Sequence, residues 1–151
     1  MRPDTGPVVR EASASDAPAV AGLLAELGYA VTPDLARDRV GRPGERVLLA
    51  ELDGEPVGLL SLAVLHHVTH ARPLARVVAM VVRARARRGG VGRALMERAE
   101  ALARAAGCEG VELTSANSPE REAAHRFYEA LGYRATSRRY WLSLDPADPG
   151  G

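Results

Sequence analysis

The chain contains no lysine; all twenty of its basic residues are arginine. That absence removes the nucleotide phosphate loop, whose Gly-Lys-Ser/Thr ending needs a lysine ammonium at the phosphates. Cysteine is nearly as scarce. The single Cys108 cannot close an internal disulfide and reads as a small buried filler. No charged-then-apolar leader and no apolar run of about eighteen residues appears, so the expected setting is a reducing cytoplasm with no membrane partner. Aromatics are limited to one Phe, one Trp and four Tyr. With a formal net charge of only +1, that leaves little for base stacking or for a bulk electrostatic grip on nucleic acid. The cluster Arg83, Arg85, Arg87, Arg88, Arg93 is a local patch on a balanced chain.

What is present fits one folded domain. A length of 151 residues and 46% hydrophobic content suffice for a substantial core. No repeat or linker divides the sequence, so residues 1–144 read as one domain and the Pro/Gly-rich residues 145–151 as a disordered tail.

Strand and helix signals alternate. Residues 8–10 read as a first strand. Asp16 caps a helix that has Pro18 in its first turn and Val20, Leu23, Leu24 and Leu27 at core spacing, ending at Gly28. Residues 33–40 form a weaker second helix. Residues 46–52 and 57–65 flank the turn Asp53-Gly54-Glu55-Pro56 as a hairpin. Residues 74–82 make a further strand, and Val91, Leu95, Ala99, Leu102 and Ala106 trace one face of a helix stopped by Gly107. Residues 110–115 are a short strand. Ser118-Pro119 opens a last helix with Ala124, Phe127, Tyr128 and Leu131 inward and Gly132 as its stop. Residues 134–144, with Tyr140 and Trp141, read as a final strand. The order predicts a mixed α/β sheet with helices on both faces.

Two stretches carry chemistry. The first is Arg87-Arg88-Gly89-Gly90-Val91-Gly92, between an apolar strand and a helix. Glycines at a helix start leave several backbone N–H groups free to point at one anion, and the helix dipole adds partial positive charge, so a phosphate or pyrophosphate is the natural guest. The dinucleotide fingerprint fails here because Leu95 stands where a third small residue is needed. The second stretch is Ala124-His125-Arg126-Phe127-Tyr128-Glu129-Ala130-Leu131-Gly132-Tyr133.

Arg87, Gly90 and Gly92 in the spacing R-x-x-G-x-G resemble the acetyl-CoA pyrophosphate loop of the GNAT superfamily of N-acetyltransferases. The later pattern A-x-x-F-Y-x-x-x-G-[FY] resembles that superfamily's fourth-helix motif and is especially close to the aminoalkylphosphonate and aminoglycoside type enzymes. The element order fits from residue 8 to residue 144. The resemblance implies a GNAT fold: a mixed, mostly antiparallel sheet in which the fourth and fifth strands part as a wedge. It implies acetyl-CoA as co-substrate, with the pantetheine arm along Met80, Val81 and Val82, and the pyrophosphate on the N–H groups of Arg88, Gly89, Gly90, Val91, Gly92 and Arg93, with charge from Arg87 and Arg88. It also implies a backbone oxyanion donor near Met80 or Val81 and Tyr128 as the acid that protonates the departing sulfur. Asn117 resembles a residue that touches the cofactor or positions Tyr128, and reads equally well as a loop or cap residue.

The general base departs from the pattern, because Val78 and Ala79 stand where many relatives carry an acidic residue. Glu112 and the loop histidines His66, His67 and His70 are the alternatives, acting directly or through water. His66-His67-x-x-His70 lacks neighbouring Cys or paired acids, so no metal is expected. The resemblance further implies an acceptor wall on residues 27–44, closed by residues 138–141, and the short chain favours a small primary amine over a protein amine. A non-catalytic acyl-CoA sensor is the rival reading: the missing carboxylate favours it and Tyr128 opposes it. A homodimer through the last strand is expected.

Overall fold

Asp53 and Gly54 both adopt left-handed φ, 51° and 79°, which lets the chain reverse within two residues. On either side lie β2 (Glu45–Leu52) and β3 (Glu55–Leu65), paired antiparallel as the expected hairpin. The computed structural model describes residues 6–148 and divides into two compact units, Met1–Leu113 and Thr114–Gly151.

The first unit is built on this hairpin. β1 (Val8–Glu11) pairs with β2 and β4 (Leu74–Val82) with β3, both antiparallel, while β5 (Gly110–Leu113) lies parallel to β4. The sheet order is β1-β2-β3-β4-β5. Adjacent residues of β3 show that both faces are covered. Leu59 is buried in a cluster with Ala17, Val20, Ala21 and Leu23 of α1 (Ala17–Glu26) and Ala36 of α2 (Pro33–Val40). Gly58 faces Val91 and Leu95 of α3 (Val91–Ala105). Period-two strands and one apolar helix stripe per face produce this arrangement.

Asp16 does not cap α1 by its side chain. Its carboxylate accepts from Arg10 Nη1 and Nη2 at 2.8 Å each and from the Ser13 N–H at 2.8 Å, a stronger set than one helix amide offers. Arg10 also pairs with Glu51. The Arg10 guanidinium, then burial opposing it, then the Ser13 amide act on Asp16, with the net result that its carboxyl is held well below the usual carboxylate range. A carboxylate with a depressed folded pKa stabilises above its unfolded value and loses that contribution as pH falls. Asp16→Asn is therefore expected to cost roughly 1–2 kcal/mol at neutral pH, since the pair is charge-assisted but Arg10 is partly open to water. It is also expected to flatten the loss of stability below about pH 4. Urea unfolding at pH 7 and pH 3.5 checks both; a variant with the parental pH slope overturns the assignment.

The second unit contains a short 3-10 turn, Pro119–Arg121, followed by α4 (Glu122–Ala130). Gly132, at φ 96°, ends this helix as expected. Residues 134–144 are not a strand. They form no backbone ladder, and Tyr140, Trp141, Leu142 and Leu144 are exposed. Local propensity is right for a strand there, but a strand exists only where a neighbour supplies its hydrogen bonds. Arg139 instead stacks on Trp141, 4.6 Å from the ring centroid. Of the expected tail, residues 149–151 lie outside the described residues, and residues 145–148 close a turn with the Asp148 N–H donating to Asp145 O at 3.0 Å. β5 stops at Leu113, two residues short of the expected end.

Candidate functional site

The register of β4 shows where the sheet opens. Leu74, Ala75, Arg76 and Val77 pair with Gly110, Val111, Glu112 and Leu113, and pairing then ceases although β4 runs on to Val82. The edge that carries Met80, Val81 and Val82 has no β5 ladder, and backbone groups at such an edge need other partners. On its opposite side, the β3 register passes from Val77 to Ala79 and leaves Val78 as an extra residue in a β-bulge. Val78 is half exposed. Nothing in the apolar run 77–82 marks a bulge, so the sequence reading missed it.

Beyond Val82 the chain makes the 3-10 turn Ala84–Ala86 and then the glycine loop. Arg88 and Gly90 both lie in the left-handed region, at φ 67° and 80°. Glycine adopts that conformation freely, whereas arginine is strained there, a type of strain concentrated at ligand-binding loops. The earliest amide bond of α3 runs from Ala94 N–H to Gly90 O at 3.0 Å. The N–H groups of Val91, Gly92 and Arg93 therefore have no acceptor within the helix and project from its positive end. Val91 and Leu95 are buried beneath them, and α3 is fixed at its origin.

The arginine patch separates into two sets. Arg83 pairs with Glu26 at 3.0 Å, Arg85 with Glu55 at 3.0 Å, and Arg93 with Glu97 at 3.8 Å. Arg87 donates from Nε to Val82 O at 3.3 Å. Neither Arg87 nor Arg88 forms an ion pair with a described residue, which leaves their charge for a ligand. A ligand with phosphates on one end and amides along its arm fits both the helix terminus and the adjoining open edge of β4.

Glu112, a base candidate, accepts from Arg76 Nη1 at 3.2 Å at the point where β4 and β5 part. His67 is exposed, its ring edge-on to that of His70 with centroids 5.9 Å apart. His70 lies 3.6 Å from Glu109. Glu112 and His67 thus occupy different neighbourhoods: one is in the sheet and the other in the loop before β4. No group of three or more His, Cys, Asp or Glu among the described residues is arranged to hold a metal.

In the second unit, Tyr128 lies on α4 with its ring edge-on to Phe127 and Tyr133, at centroid separations of 5.2 and 6.1 Å. Burial raises its hydroxyl above the ordinary value of 10.0, opposed by Arg121. It therefore keeps its proton at neutral pH and is able to donate it. Asn117 is exposed just before Ser118. His125 was missed as an organising residue: its Nε2 contacts Ala116 O at 3.0 Å and folds the segment around Asn117 onto α4.

Residues 16–133 match the model of the acetyltransferase (GNAT) family. The chain is 33% identical over 150 residues to an aminoalkylphosphonate N-acetyltransferase of Salmonella typhimurium, covering 95% of this chain and 96% of that one. It is 29% identical over 155 residues to an aminoglycoside N(6')-acetyltransferase type 1 of Stenotrophomonas maltophilia, covering 96% and 97%. Among solved structures, an aminoglycoside N-acetyltransferase in complex with CoA superposes with a TM-score of 0.81 at 18% identity, covering 95% of this chain and 97% of that one. With the glycine loop at the head of α3, the parted β4 and β5 and a family match over most of its length, the chain belongs to the GNAT family and is an N-acetyltransferase.

Proposed function

We propose that the protein moves the acetyl group of acetyl-CoA to the primary amine of a small molecule by direct attack in a ternary complex. The observation that carries this reading is the array of helix-start amides at Val91, Gly92 and Arg93 beside left-handed Arg88 and Gly90, continuous with the open edge of β4. The bound thioester supplies an acyl carbon open to attack and a sulfur that departs.

The chain's own groups do the rest. The β4 edge at Met80, Val81 and Val82 holds the amide-bearing arm by main-chain hydrogen bonds, and the loop amides with Arg87 and Arg88 hold the phosphates. A backbone N–H at Met80 or Val81 stabilises the charge that develops on the carbonyl oxygen. Tyr128 donates its proton to the sulfur, and Asn117 positions it. Glu112 or His67 takes the ammonium proton, directly or through water. A small amine as acceptor is supported by the names of the relatives, one acting on aminoalkylphosphonates and the other on aminoglycosides. This reading places the enzyme in the cytoplasm as one catalytic domain spanning residues 1–144, paired in a homodimer that covers Tyr140, Trp141, Leu142 and Leu144.

Thiol release from acetyl-CoA across a panel of aminoalkylphosphonates, aminoglycosides, polyamines and amino acids tests the proposal. At least one small primary amine is expected to raise release well above the rate without acceptor. Tight CoA binding with no amine-dependent release would instead favour an acyl-CoA sensor.

A further inference from the structure

At every residue the start of β3 touches the connection from β4 to α3, residues 82–91, whose second half is the anion loop. Glu55 pairs with Arg85 at 3.0 Å. The Pro56 carbonyl accepts from Arg83 Nε at 3.4 Å. The Val57 carbonyl accepts the Arg83 backbone N–H at 2.8 Å. Gly58 lies opposite Val82, the last residue of β4, in the sheet register, and it faces Val91, the first residue of α3. Both ends of the loop thus rest on one short stretch of backbone. Val57 is itself the extra residue of a β-bulge, since the β2 register passes from Pro56 to Gly58.

Gly58 has no need of glycine's backbone freedom, because its φ is not in the left-handed region. Its requirement is space. A Cβ at this position would lie 2.8 Å from Val91 Cγ1, 3.1 Å from Leu95 Cδ1 and 3.5 Å from Ala50 Cβ. The first distance is shorter than any ordinary carbon contact, and Val91 and Leu95 are themselves buried. A side chain at Gly58 therefore presses on Val91 and Leu95 of α3, whose first turn bears the amides of Val91, Gly92 and Arg93. A glycine inside a strand is the sequence signal for such a close approach.

We infer that Glu55, Pro56, Val57 and Gly58 form a positioning platform for the phosphate loop, and that the missing side chain of Gly58 sets the loop's affinity for the CoA pyrophosphate. The inference rests on the proposal that this loop binds acetyl-CoA. Gly58 acts through α3 and touches no ligand.

Calorimetric titration with CoA, at a temperature where every variant is folded, separates this role from mere stability. Gly58→Ala is expected to weaken CoA binding by about tenfold or more, as small displacements of binding groups do. Adding Val91→Ala removes the nearest colliding methyl and is expected to bring the affinity back to that of Val91→Ala alone. Leu59→Ala, on the opposite face of the same strand, is expected to lower the melting temperature while leaving CoA affinity at the parental value. The platform is overturned if Gly58→Ala binds CoA as the parent does, or if Leu59→Ala weakens binding equally for the same fall in melting temperature. Should Gly58→Ala not fold, the double variant decides: affinity matching Val91→Ala supports the shared contact, and a folded double variant with weaker binding overturns it. Failure of the unaltered protein to bind CoA would sink the reading of the loop itself, a result distinct from all of these.

Discussion

Gly92→Val is expected to weaken CoA binding by roughly 30- to 1,000-fold while leaving the protein folded. Gly92 is the second residue of α3 and has an ordinary helical φ, absent from the left-handed set that contains Gly90. Valine is no worse than glycine inside a helix, so backbone conformation gives no reason for unfolding. The new side chain occupies the space in front of the first-turn amides. Losing one or two charge-assisted amide-to-phosphate hydrogen bonds costs roughly 2–4 kcal/mol, which sets the range of affinity. The comparison with Gly90→Ala is informative. At φ 80° an alanine there is strained, so that variant is expected to lose stability as well as affinity. Calorimetry paired with thermal melting reads both quantities, and unchanged CoA affinity in a folded Gly92→Val protein would refute the loop assignment.

Tyr128→Phe is expected to lower turnover by a factor on the order of 10 to 1,000, the usual range for a lost general acid, with nearly unchanged affinity for acetyl-CoA. The ring and its edge-on contacts with Phe127 and Tyr133 are retained, so the melting temperature should move little. The pH profile gives a second readout. Burial holds the Tyr128 hydroxyl above its ordinary 10.0. The acid therefore stays protonated through neutral and mildly alkaline pH, and activity is lost only as the hydroxyl ionises above that value. In the Phe variant the low residual rate should lack this alkaline fall. Full turnover of Tyr128→Phe where chemistry is rate-limiting would assign the proton to water or another residue. An early melt would mark Tyr128 as core.

The fate of the arginine patch bears on both experiments. Five arginines near one loop read from sequence as a local basic patch, and acidic residues far along the chain engage two of them, Arg83 and Arg85. Those two brace the loop against α1 and β3. Neutralising Arg87 or Arg88 removes charge that no described acid already satisfies.

Much of the fold was legible because its signals are local. Residues 33–40 and 74–82 read as helix and strand and are found as Pro33–Val40 and Leu74–Val82, since hydrophobic period and a proline at the helix start act within a few residues. Gly28, Gly107 and Gly132 were legible as helix stops, and all three have left-handed φ, 93°, 77° and 96°. The phosphate loop was equally local: glycine spacing and a following helix suffice to free the amides. Tertiary structure alone decided the rest, because it depends on partners distant in sequence. Residues 134–144 have strand propensity and no ladder, and propensity cannot supply a neighbour's hydrogen bonds. Glu112 read as a free base candidate until β4 brought Arg76 beside it. Asp16 read as a helix cap until Arg10, which also pairs with the distant Glu51 of β2, took its carboxylate. The tight seat of Val91 on Gly58 exists only because a strand and a helix more than thirty residues apart meet at 2.8 Å of prospective contact, a distance fixed by packing and by no local preference of either residue.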